Sequence, residues 1–262
     1  MSSTKILAKS LFKNISLTYW IIFANVLVAI FFIIFPNLVG SFALKPSDIV
    51  QGKNLWSLVT HMFMHAGFFH LFFNMFTLFF IGGFIEKIIG QKRFFWFYLL
   101  AGLLGGIFFV IAGLWGLSNP EIYGVGASGA IFGLLGLMAI LTPKARVYLI
   151  AGPLIAIILL SVIEAIFGSI GILNLVLNIY FLVSLFAIFS FSSFRKIALP
   201  IEMPLWILPI IAIVPLAVIG YFVELPIGNS AHLGGLVLGL GYGWILASRY
   251  KKKVRMLRKM VR

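Results

Sequence analysis

Long apolar stretches are the feature that most restricts how this chain can fold. We count eight of them, at roughly 17–39, 62–85, 94–115, 127–141, 147–167, 172–192, 203–223 and 231–248. A helix of roughly 20 apolar residues spans the hydrocarbon core of a bilayer, and in lipid each backbone polar group must be satisfied within its own segment. The sequence therefore predicts an all-α membrane protein, a polytopic helical bundle in which residues 1–262 form a single transmembrane domain. Composition agrees, because only 10% of the residues are charged, against about a quarter in soluble domains.

The lysines and arginines indicate which way the segments cross. With a cytoplasmic N-terminus and eight alternating segments, 18 of the 20 basic residues fall on the cytoplasmic side, and Lys45 and Lys53 do not. Cytoplasmic loops of membrane proteins carry such an excess, so both termini are predicted to be cytoplasmic. This distribution accounts for the net charge of +14 without nucleic acid as a partner. We expect the basic tail 249–262 to contact anionic lipid headgroups, in the cell membrane of a prokaryote.

Side chains able to do chemistry are few, and the topology places them at one depth. The four histidines all have apolar neighbours: His61, His65, His70 and His232. Ser128 begins the fourth segment between glycines, and His232 lies near the start of the eighth. Asn74 follows His70 by one helical turn in the second segment. Each of these side chains lies near the outer end of its segment, so three distant parts of the chain converge on one level of the membrane.

Glycines at four-residue spacing predict how these segments pack. They are Gly129 and Gly133 on one face of the fourth segment, and Gly235, Gly239 and Gly243 on one face of the eighth. Small residues at this spacing let helices approach closely in lipid. Joining the two faces would bring Ser128 and His232 within hydrogen-bonding distance. Ordinary helix packing without chemistry is the alternative that the spacing alone leaves open.

A serine hydroxyl needs a base before it becomes a nucleophile, and His232 is on the segment expected to pack against Ser128. The one aspartate, Asp48, falls in an outer loop, and no glutamate falls at a suitable depth on a suitable segment. The sequence therefore predicts a Ser–His dyad that works without an acid. Phe132, one turn after Ser128, is placed to stack on the imidazole ring.

Hydrogen-bond donors are also needed for the negative charge of a tetrahedral intermediate. His70 and Asn74 are four residues apart and project together from one helix face. With the Ser128 backbone N–H, they are the predicted oxyanion donors. His61 and His65 lie nearer the outer surface, so we interpret them as structural, bonded to the first outer loop or supporting the site.

Other classes of protein use similar residues. Zinc binding is weakly supported, because the chain lacks cysteine and a His-Glu-x-x-His pattern, so no metal ligand is predicted. A transporter can use membrane histidines as proton relays, but acidic residues do not line the predicted core and no inverted repeat is evident. A membrane aspartyl protease is excluded, because it needs two catalytic aspartates and the chain has one.

Four short motifs occur in order along segments two to four and the eighth. They read His65-x4-His70-x3-Asn74, Gly82-Gly83-x-x-Glu86-Lys87, Gly126-Ala127-Ser128-Gly129 and Ala231-His232-x2-Gly235-x3-Gly239. Together they resemble the rhomboid family of intramembrane serine proteases. The resemblance covers about half of the chain.

The resemblance implies a function and a set of site residues. Ser128 would be the nucleophile, His232 the general base, and His70, Asn74 and the Ser128 amide the oxyanion donors. The supporting residues would be His65, Phe132, Gly126, Gly129, Gly235, Gly239 and Glu86. No cofactor is implied, and the substrates would be transmembrane proteins cut near the outer face of the membrane. A catalytically silent binder of membrane helices is the alternative, although silent relatives lose the serine or the histidine and both are present here.

Three features depart from the family's pattern. Trp56-Ser57 stands where Trp-Arg is frequent, and Phe132 stands where a tyrosine is frequent. The family core has six helices, whereas eight segments are predicted here. Because Met203-Pro204-Leu205-Trp206 resembles the fifth family helix, residues 147–192 are predicted to be an inserted helical hairpin. The segment 203–223, which contains three prolines, is the predicted gate for a substrate.

Overall fold

The computed structural model describes residues 15–150, 171–188, 200–222 and 228–260, together with single positions between 151 and 170. Its helices are α1 (Leu17–Ile34), α2 (Phe68–Ile89), α3 (Gln91–Leu114), α4 (Ser128–Leu141), α5 (Gly171–Ile188), α6 (Leu208–Phe222), α7 (Asn229–Arg249) and α8 (Lys251–Met260). Its strands are β1 (Arg146–Ile150) and β2 (Pro200–Pro204). Short helical turns occupy Pro36–Leu38, Val39–Phe42, Pro46–Val50, Ser57–Thr60, His61–Phe63 and Leu205–Ile207. The prediction of a mostly helical protein is confirmed.

Four helices in the described part of the chain are long and apolar enough to cross a membrane, namely α1, α2, α3 and α7. The helix α4 is shorter. Its 14 residues rise about 21 Å at 1.5 Å per residue, which is less than the roughly 30 Å of the hydrocarbon core. At least one end of α4 therefore lies inside the thickness of a bilayer.

The second apolar stretch becomes helical later than predicted. Residues His61–Phe63 form a 3-10 turn and Met64 is extended, so α2 begins at Phe68 rather than at residue 62. Hydropathy does not detect this boundary, because the residues on both sides of it are apolar. Within α2, residues Leu78–Gly82 form a π-helical stretch.

The bundle contains a two-stranded sheet that the sequence did not predict. β1 pairs antiparallel with β2, in a register that places Tyr148 opposite Glu202. The prediction of helix from residue 147 is therefore wrong at its start, and so is the prediction of helix at 203–204, which belongs to β2. A short apolar run is compatible with a helix or a strand, and only pairing with a distant partner decides between them.

The remainder of the predicted hairpin is described in part. α5 falls within the predicted segment 172–192, whereas most of residues 151–170 lies outside the described residues. That residues 147–192 form an inserted hairpin stays a prediction.

Glycine determines how closely α4 and α7 pack at the centre of the bundle. A Cβ added at Gly235 would overlap the carbonyl oxygen of Gly129, and one at Gly239 would overlap the carbonyl oxygen of Gly133. Their backbones are therefore in direct contact along the predicted faces, as small-residue packing in lipid permits. α4 is almost wholly buried, because α3 covers another of its sides.

Glu86 of α2 fixes the start of α1. Its carboxylate accepts hydrogen bonds from the backbone N–H groups of Leu17 and Thr18, each at 2.8 Å, and from the hydroxyls of Ser16 at 2.5 Å and Thr18 at 2.6 Å. The first N–H groups of a helix lack partners within the helix, and the helix dipole favours a negative charge there. The resemblance gives Glu86 a supporting role, and its contacts join α1 to α2.

Candidate active site

The side chains of the predicted dyad lie at the starts of α4 and α7. Ser128 is the first residue of α4 and His232 is the fourth of α7. Oγ of Ser128 and Nε2 of His232 are hydrogen-bonded at 2.9 Å, and the hydroxyl is the donor in the tautomer that carries its proton on Nδ1. The imidazole is buried, and its Nδ1 has no hydrogen-bond partner among the described residues. The arrangement is a serine–imidazole pair with no described carboxylate on the far side of the ring.

Three helix backbones meet beside this pair. A Cβ added at Gly105 of α3 would lie 2.9 Å from the carbonyl oxygen of Ala231 and 3.3 Å from Cα of Gly129. These two neighbours adjoin His232 and Ser128 in the sequence, so a side chain at position 105 would push the two helix starts apart. Sequence reasoning missed Gly105, although Gly102 and Gly106 of the same helix have the four-residue spacing that identified the other two faces.

Phe132 limits how the imidazole can turn. Its ring lies nearly parallel to that of His232, with centroids 4.2 Å apart and an angle of 14° between the planes. Aromatic pairs of this kind contribute about 0.5–1.5 kcal/mol beyond the area that they bury. Since Phe132 lies one turn after Ser128, the same helix presents the hydroxyl and holds the ring that receives its proton. Stacking takes the place that a carboxylate has in a triad.

His70 borders the space next to the Ser128 hydroxyl. The backbone N–H of Ala66 donates to Nδ1 of His70 at 3.3 Å, which leaves Nε2 as the protonated nitrogen of a neutral ring. A Cβ added at Gly126 would lie 2.9 Å from Nε2 of His70 and 3.7 Å from Oγ of Ser128. The Nε2–H donor and the serine oxygen thus face one small space, and the absence of a side chain at position 126 keeps that space open.

Gly126 has two further reasons to be glycine. Its φ is +128°, a conformation that side chains with a Cβ rarely adopt. Its backbone N–H donates to the carbonyl oxygen of His61 at 2.9 Å, which fixes the loop immediately before Ser128. This backbone role of His61 was not predicted, since a pattern of residue types does not reveal a carbonyl contact.

Asn74 is buried and lies one turn below His70. Its Nδ2 donates to the carbonyl oxygen of His70 at 2.8 Å. That bond uses one of the two N–H donors of the amide and holds the helix backbone behind the imidazole. The structure thus joins Asn74 to His70, and its described bond is to the helix rather than to Ser128.

His61 and His65 differ in their surroundings. Nδ1 of His61 bonds with the carbonyl oxygen of Ser57 at 2.8 Å, which is the predicted contact with the first outer loop. Burial lowers the pKa of His61 to about 4, so this ring is neutral near pH 7. His65 contacts the His70 ring edge-on, with centroids 5.0 Å apart, and its ring nitrogens have no hydrogen-bond partner in the described structure.

Two loops cover the start of α4. Leu44 and Gly124 exchange backbone hydrogen bonds at 3.0 and 2.7 Å, and Lys45 pairs with Glu121 at 2.6 Å. The hydrogen bond and charge of Glu121 raise the pKa of Lys45, and Lys45 lowers the pKa of Glu121. Trp56, in the predicted Trp-Ser departure, donates from Nε1 to the carbonyl oxygen of Ser41 at 2.8 Å. The loop before Ser128 is therefore held by the one that follows α1.

Comparison with known proteins indicates the family of this chain. The family model described as the rhomboid domain matches residues 52–179. The putative rhomboid protease YdcA of Bacillus subtilis is 38% identical over 96 residues, which are 34% of this chain and 46% of that protein. The chain belongs to the rhomboid family. The matched part of this rhomboid protein contains His70, Asn74 and Ser128, and His232 lies beyond its end.

Other relatives of this rhomboid protein are similarly partial matches. RHOMBOID-like protein 1 of Arabidopsis thaliana is 41% identical over 96 residues, 37% of this chain and 23% of that protein. The rhomboid protease GluP of Bacillus subtilis is 32% identical over 135 residues, 48% of this chain and 25% of that protein. In each of these three comparisons, the matched region spans less than half the length of the relative.

Proposed function

We propose that this rhomboid-family protein is an intramembrane serine protease that hydrolyses peptide bonds of transmembrane proteins, with Ser128 as nucleophile and His232 as general base. The observation that carries the proposal is the 2.9 Å hydrogen bond from the Ser128 hydroxyl to Nε2 of His232. It lies beside a space bordered by the Nε2–H donor of His70. A nucleophile, its base and an oxyanion donor around one space are the parts that acyl transfer requires.

Each step can be assigned to these residues. As Oγ of Ser128 attacks the scissile carbonyl carbon, His232 takes the hydroxyl proton and the carbonyl electrons move onto oxygen. The Ser128 backbone N–H and Nε2–H of His70 donate to that oxygen, with Asn74 as the third proposed donor. The intermediate then expels the amine, to which His232 gives its proton. Water, deprotonated by His232, cleaves the resulting ester and regenerates the serine.

The length of α4 supports a cleavage site inside the membrane. Since α4 rises only about 21 Å, Ser128 lies below one membrane boundary if the other end of α4 reaches the opposite boundary. A substrate helix has its carbonyls hydrogen-bonded internally, so it must unwind before Ser128 can attack. We therefore expect substrates with glycine, alanine, serine or proline near the cut. We propose α6, which contains Pro209 and Pro215, as the gate.

The orientation and location follow from charge. The excess of basic residues on one side of the membrane, in the eight-segment topology, supports cytoplasmic termini and a site that opens toward the outer face. We propose the cell membrane of a prokaryote as the location.

A silent binder of membrane helices is the second candidate, because one relative carries the name inactive RHOMBOID-like protein 8, from Arabidopsis thaliana, and is 32% identical over 90 residues. A binder does not need a hydroxyl bonded to an unprotonated ring nitrogen. The two candidates therefore differ in whether the hydroxyl oxygen of Ser128 is required for function.

Labelling with a fluorophosphonate tests the proposal directly. We expect the detergent-solubilised protein to be labelled, and Ser128→Ala to abolish both the label and the cleavage of a model transmembrane substrate. His232→Ala should lower both rates by at least about 10⁴-fold, because the dyad acts as a unit. Ser248→Ala, an exposed serine near the far end of α7, is the matched control and should match the wild type. Substrate that co-purifies uncut with the wild type, together with no labelling, would favour the silent binder.

A further inference from the structure

The last helix of the described chain packs against the bundle through one apolar edge. Val254 of α8 is buried in the main core, and Tyr250 and Leu257 pack partly against it. These residues recur at helical spacing, so they form one stripe. The other positions of α8 carry six basic side chains and two exposed methionines, Met256 and Met260. α8 is therefore fixed to the bundle and does not extend away from it.

Arg258 of α8 makes this attachment specific. Its Nε donates to the carbonyl oxygen of Leu141 at 3.1 Å, and its Nη2 donates to that of Ile140 at 2.9 Å. The last carbonyl groups of a helix lack partners within the helix, and they carry the negative end of its dipole. The guanidinium thus holds the end of α4 that lies opposite Ser128. Two of its five N–H donors are used in these bonds.

An open cleft of about 250 Å³ lies beside this contact. It is lined by Lys251, Arg255 and Arg258 on α8, with Val254 between them and Ala247 of α7. The ion pairs of the described residues involve none of these three cations, and α7 and α8 contain no acidic residue. The cleft concentrates positive charge over an apolar floor.

The cleft lies where the membrane-crossing helices end. Arg93, near the start of α3, lies 5.8 Å from the centre of the Tyr250 ring, and Arg249 and Lys253 lie about 6 Å from it. The start of α3 and the end of α7 are therefore at the same end of the bundle as the cleft. Because α3 and α7 are long enough to span a membrane, that end lies at the level of the lipid headgroups.

We infer that this cleft binds the headgroup phosphate of an anionic phospholipid, which bridges Lys251, Arg255 and Arg258. Arginine side chains match the geometry of phosphate oxygens, and a lysine ammonium adds a point charge. The apolar floor suits the glycerol and the first methylenes of a lipid, which a free phosphate lacks. Since Arg258 also holds the end of α4, the bound lipid would brace the helix that presents Ser128. The binding itself is independent of the proposed protease activity.

Native mass spectrometry of the full chain, purified in detergent with equal phosphatidylglycerol and phosphatidylcholine, tests this site. We expect the wild type to retain phosphatidylglycerol preferentially, and K251Q/R255Q to lower the retained fraction by at least about tenfold, since it removes two of the three cations that line the cleft. The matched control is K252Q/K259Q, which removes the same charge from exposed positions outside the cleft. It should retain the lipid as the wild type does.

The other outcomes would overturn the inference. Equal losses in the two double variants would indicate diffuse attraction to the basic surface. Displacement of the lipid by excess inorganic phosphate would assign the cleft to a soluble anion. If K251Q/R255Q does not fold, photocrosslinking of the wild type with a phosphatidylglycerol that has a photoreactive headgroup decides the question. The label should concentrate in residues 247–258, and an even spread over the basic surface would contradict a discrete site.

Discussion

The two ends of α4 are held by different forces. At one end, Ser128 bonds with a neutral imidazole that is stacked on Phe132, and the described contacts of this pair include no charged side chain. At the other end, the guanidinium of Arg258 bonds with the carbonyl groups of Ile140 and Leu141. We call these the serine end and the basic end of α4. Packing and hydrogen bonds position the first, whereas charge positions the second.

The difference follows from what each end has to do. At the serine end, stacking on Phe132 and the bond with Ser128 position the imidazole, and no charged side chain is among these described contacts. At the basic end, positive side chains meet the negative pole of α4 and the headgroup region, where charge is favourable. The comparison therefore predicts that steric changes matter most at the serine end and that salt has little effect there.

Among variants that keep both residues of the dyad, the largest effect is expected from one methyl group at the serine end. In Gly126→Ala, the new Cβ would lie 2.9 Å from the His70 ring, in the space beside Ser128. It would displace either the oxyanion donor or the substrate, so we expect kcat/KM for a model transmembrane substrate to fall by about 100- to 1000-fold. The rate of fluorophosphonate labelling should fall with it.

Gly116→Ala is the matched control for that variant. Gly116 also has a positive φ, +70°, and lies in the same loop, but a Cβ there has no neighbour within 4 Å. Alanine at position 116 thus also requires a positive φ, and its steric effect on the site is absent. Equal activities in the two alanine variants would contradict the view that the space next to Ser128 is shaped by position 126.

A smaller effect is expected in the middle of α4, where it packs against α7. In Gly239→Ala, the Cβ would overlap the carbonyl oxygen of Gly133, whereas Gly241→Ala in the same helix would meet nothing within 4 Å. Overpacking of this kind costs about 1–3 kcal/mol, while replacing an exposed helical glycine by alanine gains about 0.5–1 kcal/mol. Thermal unfolding in detergent should therefore shift in opposite directions for the two variants. If both melt like the wild type, α4 and α7 are not held by close backbone contact.

These two pairs of variants also show what the sequence could predict. The spacing of Gly129, Gly133, Gly235 and Gly239 predicts which faces of α4 and α7 meet, because in lipid only small residues allow such an approach. The residue types at 70, 128 and 232 indicate the chemistry, because a histidine is costly to bury without a task. Both inferences depend on the type of side chain at each position, which the sequence gives directly.

Contacts that depend on distant backbone could not be predicted in the same way. The pairing of β1 with β2 joins residues about 50 positions apart, and apolar strand residues look like helix residues in a hydropathy profile. The bond from the Gly126 N–H to the His61 carbonyl and the two carbonyl bonds of Arg258 involve main-chain acceptors. Every residue has such an acceptor, so residue identity gives no signal for them.

The smallest effect is expected from the ion pair between the loops over the serine end. Lys45 lowers the pKa of Glu121, so the pair stabilises the loops above the ordinary glutamate value of 4.5 and is lost as the pH falls through the lower, folded-state value. Lys45, whose pKa is raised, loses its contribution only as the pH rises above its ordinary 10.5. Because the Glu121 side chain is exposed, Glu121→Gln should lower kcat/KM at pH 7 by less than about twofold. The difference in melting temperature between wild type and variant should be constant from pH 6 to 8, decrease as the pH falls below 4.5 and shrink in high salt. A loss comparable with that of Gly126→Ala would mean that charge, rather than packing, positions the serine end.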